Sequence, residues 1–158
     1  MTKTLRRCAA ALAALAAAGV LAGCSPATAE LPAPSPGPAA DDLCRELLER
    51  VPQTVYDQER VEVRPETPYA AAWGDPPIAL RCGVGRPEEL RPDSELTVVN
   101  GIAWLPEPGE RPDLYTAVGR EAYVEMSIPA TYGAPAQGLV AMSDLIDQEI
   151  PALPAGEL

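Results

Sequence analysis

The sequence predicts an α+β domain: a small antiparallel sheet with an N-terminal and a C-terminal helix packed on it, joined by one helix-to-strand disulfide. Three observations predict it. Apolar residues recur at helical spacing near residue 45 and again over 136–149. Between those stretches the chain alternates apolar and polar residues with the period of a strand. Cys44 falls beside the first helical stripe and Cys82 in the clearest strand. A pure β-sandwich is the alternative if either helical stripe belongs to a strand.

The first helix runs from a cap at Asp41 or Asp42, with Leu43, Leu47, Leu48 and Val51 on one stripe and Pro52 as the stop. Val61-Glu62-Val63 reads as a short edge strand, because Pro65 follows. Residues 69–77 read as a loop dense in Ala, Pro, Gly and aromatic side chains. In the strand after it, Ile78, Leu80, Cys82 and Val84 share one face, opposite Ala79, Arg81 and Gly83. Asn100-Gly101 tolerates positive φ at both positions, so residues 96–99 and 102–105 form a two-residue type I′ hairpin. Residues 114–118 and 122–128 read as two more strands around a turn at Gly119-Arg120. Leu139, Met142, Ile146 and Ile150 mark the last helix, closed by Pro151.

A chain of 158 residues holds one domain, and 47% hydrophobic content gives it a core. Residues 1–23 read as an export signal: Lys3, Arg6 and Arg7 precede an uncharged run over 9–21 that is too short for a stop-transfer helix. The run ends in Leu21-Ala22-Gly23-Cys24, which resembles the lipobox of bacterial lipoproteins. That resemblance implies cleavage before Cys24 and a diacylglyceryl group on its thiol, at the outer face of the plasma membrane. Ordinary secretion is the competing reading, because Ala27-Thr28-Ala29 offers a later cleavage site. Residues 24–40 carry Pro26, Pro32, Pro34, Pro36 and Pro38, and read as a disordered stalk reaching roughly 50 Å. The domain then spans 41–152 and a flexible tail 153–158.

Without the signal, 9 basic residues face 23 acidic ones, a net charge of −14. That excludes nucleic acid as a partner and gives anionic lipid no electrostatic handle. With Cys8 in the signal and Cys24 lipidated, Cys44 and Cys82 remain as a pair in an oxidising compartment, where a disulfide is the default.

The chain has no histidine, which removes the commonest general base and metal ligand. Ser94, Ser127 and Ser143 lack a nucleophile-elbow setting, and Asp41-Asp42 and Glu88-Glu89 sit in cap and loop positions. Asp93-Ser94-Glu95 lacks the loop pattern of a calcium site. No catalytic residue, cofactor or metal is therefore expected. The candidate ligand contacts are Tyr69, Trp73, Asp75 and Arg81, an aromatic plate beside a carboxylate and a guanidinium that suits a sugar or peptide. The bland reading is that Trp73 lids the core, Asp75 makes a turn and Arg81 faces solvent.

The cysteine box, the Pro-rich segment, Trp73-Gly74-Asp75-Pro76-Pro77-Ile78, Leu80-Arg81-Cys82-Gly83-Val84, Arg86-Pro87 and Val99-Asn100-Gly101 before Trp104 together resemble an actinobacterial lipoprotein family of unknown function, numbered 3515. The resemblance covers about residues 42–151 and brings no catalytic residues with it. It implies a membrane-anchored, non-catalytic accessory or binding module whose partner is an envelope protein or cell-wall component. A small-ligand binder and a histidine-free envelope enzyme are the alternatives.

Overall fold

The computed structural model describes residues 27–110, 113–154 and 156–158. The expected signal and Cys24 lie outside the described residues. Within them the chain forms β1 (Thr28–Glu30), α1 (Pro38–Arg50), β2 (Thr54–Val55), β3 (Gln58–Arg64), β4 (Ala70–Trp73), β5 (Ile78–Cys82), β6 (Thr97–Val99), β7 (Ile102–Pro106), β8 (Leu114–Val118), β9 (Val124–Ser127) and α2 (Ala136–Glu149). The sheet order is β1-β3-β4-β5-β9-β8-β7-β6, with β2 also on β3. Every pairing is antiparallel except β1 with β3.

Both helices lie on one face. Leu47 and Leu48 of α1, Val51 just after it, and Leu139, Met142 and Ile146 of α2 form one core with Trp73, Leu80, Trp104 and Met126 of the sheet. Each such side chain stabilises by about 1.5–3 kcal/mol when fully buried. The helices are tied together by Arg50 Nη1, which donates to the buried Glu149 Oε1 at 2.6 Å. Arg120 secures the end of α2, bonding Ile150 O at 3.1 Å and Asp147 Oδ1 at 2.7 Å, where a cation complements the exposed helix carbonyls. On the other face the 84–96 segment folds Leu90 against Leu105 and Val118, a smaller second core.

The strand from Ile78 is present but ends at Cys82 rather than running to Val84, because Gly83 turns the chain with φ of 79°. The α+β class, α2 and the Asn100-Gly101 hairpin are as the sequence predicts, the two turn residues having φ of 46° and 82°. So is the crosslink. Cys44 and Cys82 are bonded with their Cα atoms 5.4 Å apart, and both residues are fully buried.

Several boundaries differ. The described part of the segment expected as a free stalk lies on the domain instead. Thr28–Glu30 pairs with Glu62–Arg64, Ala29 is buried, and Leu31 N–H donates to Arg64 O at 2.9 Å. The chain then crosses the sheet as a strap, with Pro32 O accepting from Arg81 Nη1 at 3.2 Å. Pro36 lies so close to Gly83 that a Cβ there would come within 2.5 Å of it. Gly83 also has φ of 79°, so both space and backbone require glycine. Helix α1 begins at Pro38, not at Asp41 or Asp42, because proline fits the first helical turn, where its missing N–H goes unused.

The expected short edge strand at 61–63 runs over Gln58–Arg64 and has partners on both sides. Residues 70–73, expected as loop, are β4: all four are buried, and Ala71 and Ala72 lie opposite Leu80 and Ala79. Small residues covered on both faces show no alternation, so the strand signal is missing there. Leu153, placed in the tail, donates its N–H to Gly119 O at 3.0 Å.

Replacing Cys44 and Cys82 together by Ala opens a 38-residue loop and should lower unfolding free energy by up to about 4 kcal/mol. Denaturant titration measures this. Unfolded, unreduced protein should show neither thiol to a labelling reagent.

Candidate functional site

The four candidate contact residues are held by β4, β5 and the turns at their ends, and they do not converge. Trp73 closes β4 opposite Ile78 on the helix-covered face. Its indole is fully buried, and Nε1–H donates to Pro52 O at 3.0 Å. The Arg60 guanidinium covers the ring at 5.8 Å from its centroid. An indole sealed on all sides offers no stacking plate.

Tyr69 lies one residue before β4, on the same face but at the far end of the strand from Trp73. Its hydroxyl donates to the Asp41 carboxylate and accepts from Arg45 Nη2 at 2.8 Å. Arg45 also bonds Asp41 Oδ1 at 3.1 Å and lies 5.1 Å from the tyrosine ring centroid. The hydrogen bond from Tyr69 holds the Asp41 carboxyl below its usual range, and the same bond raises the phenol of Tyr69. This trio joins the first turns of α1 to the start of β4.

Arg81 points to the other face. It stands directly across from Glu125 on β9 and donates to its Oε1 from both Nε, at 2.8 Å, and Nη2, while Nη1 holds the strap. The two side chains are only 22% and 15% exposed, so this guanidinium is a structural tie rather than a solvent-facing group. Asp75 is exposed in the turn between β4 and β5, beside Pro76, whose carbonyl accepts from the Tyr132 hydroxyl at 2.7 Å.

Two of the three nucleophile candidates hold structural hydrogen bonds. Ser143 Oγ accepts from the buried Trp104 Nε1 at 3.0 Å. Ser94 Oγ closes its own loop by accepting from Arg91 N–H at 2.9 Å. Among the described residues no group of three His, Cys, Asp or Glu is placed to hold a metal ion.

Of the concavities elsewhere, two are framed by loops, and sequence reasoning missed both. One, of about 140 Å³, opens between the 84–89 loop and β7 to β9; Glu89, Glu107 and Glu125 line it beside Leu105 and Leu114. The other is a groove of about 360 Å³ between the strap at Ser35 to Ala40 and the Gly83 to Arg86 turn. Each is built by a loop folding back on the sheet, an arrangement with no periodic signature in sequence.

The family described as "Protein of unknown function (DUF3515)" matches residues 7–155. The chain belongs to that family. The match reaches beyond the 42–151 stretch recognisable from its motifs and includes β1 and the strap. No curated protein and no solved structure matches the chain.

Two predictions follow from these ties. Arg81→Ala should destabilise the fold by roughly 1–3 kcal/mol, because it leaves a half-buried carboxylate unpaired. Adding Glu125→Leu should recover much of that loss, and a double-mutant cycle in denaturant reads the difference. For the Asp41 trio, a carboxyl lowered in the folded state stabilises above its unfolded pKa, and a phenol raised in the folded state stabilises below its own. The stability difference between wild type and Asp41→Asn should therefore be largest between about pH 4 and pH 10. It should shrink as pH falls below that window, through the folded-state pKa of Asp41, or rises above it, through that of Tyr69; melting curves across pH test both limbs.

Proposed function

We propose that this protein is a lipid-anchored module on the outer face of the plasma membrane, a non-catalytic accessory or binding component of the cell envelope. The observation that carries the reading is the division of its cysteines. Cys24 follows Leu21-Ala22-Gly23 at the end of an uncharged run, while Cys44 and Cys82 are oxidised to a buried disulfide. Disulfides of this kind persist outside the reducing cytosol, which agrees with an exported chain. A thiol left at the signal boundary is then available for the lipid, and two acyl chains anchor where one would be marginal.

The non-catalytic part rests on chemistry. The chain has no histidine, Cys44 and Cys82 carry no thiolate, and Ser143 is held by the Trp104 indole. A histidine-free hydrolase would need a lysine or a carboxylate base beside its nucleophile. The single lysine is Lys3, in the expected signal. The sugar or peptide reading loses its stacking plate with Trp73 buried.

Cys24→Ala should move the protein from the membrane pellet to the soluble fraction, and metabolic labelling with a fatty acid should disappear with it. Retention of the variant in membranes would refute the anchor.

A further inference from the structure

Building on the lipid anchor proposed above, we infer that the domain sits edge-on against the bilayer, with the β1–β3 edge towards the lipid and the β6 edge pointing away. The argument starts from covalent reach. A stalk of sixteen residues would let the domain swing freely, but residues 28–36 are fastened to the body by strand pairing, the Arg81 bond to Pro32 and the Gly83–Pro36 contact. Covalent reach from Cys24 to Thr28 then limits how far the anchor can stand from β1. Four residues span at most about 14 Å, however they are arranged.

Position on the sheet then sets the side. Thr28 lies opposite Glu62 on the outer edge of β3. The next stretch of that edge is already taken by β2, because Thr54 pairs with Glu59 and Arg60 N–H donates to Gln53 O at 3.1 Å. The sheet thus offers the preceding residues no further room along β3. The opposite edge is β6, seven strand positions away in the order, or about 34 Å measured across the sheet at 4.8 Å per strand.

Charge opposes close approach but cannot prevent it. Repulsion between an acidic body and anionic headgroups fades over roughly 8 Å at physiological salt, whereas the covalent limit holds at any salt. Repulsion would lift the domain to the end of its tether without turning the tethered edge outward. Val98, 67% exposed on β6, is consequently presented to whatever lies beyond the membrane surface.

The test uses the full lipidated chain in phosphatidylethanolamine–phosphatidylglycerol vesicles. Glu62→Cys and Val98→Cys each receive a fluorophore, and quenching by headgroup-attached nitroxide lipid is measured. The label at 62 should be quenched at least about threefold more than the label at 98, given the separation of the two edges. Inserting a twelve-residue Gly/Ser segment after Pro26, which leaves every strap contact in place, should reduce quenching at 62 and bring the two sites together. Equal quenching in the uninserted protein overturns the inference, as does a difference that the insertion leaves unchanged. Flotation of the vesicles is read first: a chain that does not float with lipid refutes the anchor itself, and the orientation with it.

Discussion

Cys82 and Gly83 are the point at which the separate parts of this fold are fastened. The Cys82 sulfur bonds α1 through Cys44, and its N–H donates to Tyr69 O at the start of β4, at 2.9 Å. Gly83 N–H donates to Tyr123 O at 3.0 Å ahead of β9, and its missing side chain admits Pro36 of the strap. One residue earlier, Arg81 ties both β9 and the strap on the opposite face. Helix, strap and two neighbouring strands therefore share one corner. A chain with 19 prolines and 12 glycines has many loops to order, and their entropy opposes folding at roughly 1–2 kcal/mol per residue. A covalent crosslink at the corner where those segments meet reduces the unfolded ensemble by closing the 44–82 loop.

What could be read from the sequence was whatever a local signal specifies. Leu139, Met142 and Ile146 repeat at helical spacing, and α2 is where that repeat puts it. Asn100-Gly101 carries the hairpin because those two residue types readily adopt the positive φ that both turn positions require. Cys82 could be placed in the core row because Ile78 and Leu80 alternate with it. β4 had no such signal. Its Ala70-Ala71-Ala72-Trp73 run is covered on both faces, and only its pairing with β3 and β5 identifies it as a strand. The loop assignment of Trp73 has the same origin, although the bland reading that it covers the core is what the structure shows: an aromatic among Pro and Gly looks like a surface loop until its strand is paired.

The strap is instructive because half of its reading was sound. Prolines do favour an extended backbone, and the 31–37 segment carries one at every second position from Pro32 to Pro36. Extended does not mean detached. Thr28–Glu30 contributes the backbone N–H donors that the prolines lack, and Ala29 is small enough to be buried beside β3. Proline after it supplies a preformed path over the sheet with little further entropy to lose. The register of three residues on a distant strand decides the outcome, and nothing local announces that register.

The distribution of charge limits what can approach the finished surface. Arg45, Arg50, Arg64, Arg81 and Arg120 are each in an ion pair with a carboxylate of the same chain, and Arg60 is stacked on Trp73. Among the described residues most arginines are thus engaged internally, while acidic residues outnumber basic ones by 23 to 12 over the whole chain. The larger concavity has Arg86 at its rim, whereas the smaller one presents Glu89, Glu107 and Glu125, with no cation among the described residues that line it. An anionic polymer meeting this surface must lose counterions against a field of its own sign, whereas a basic segment or a neutral apolar strand meets no such barrier. Steering at long range therefore selects against polyanions before any contact forms, and it does so most strongly on faces where no arginine stands free.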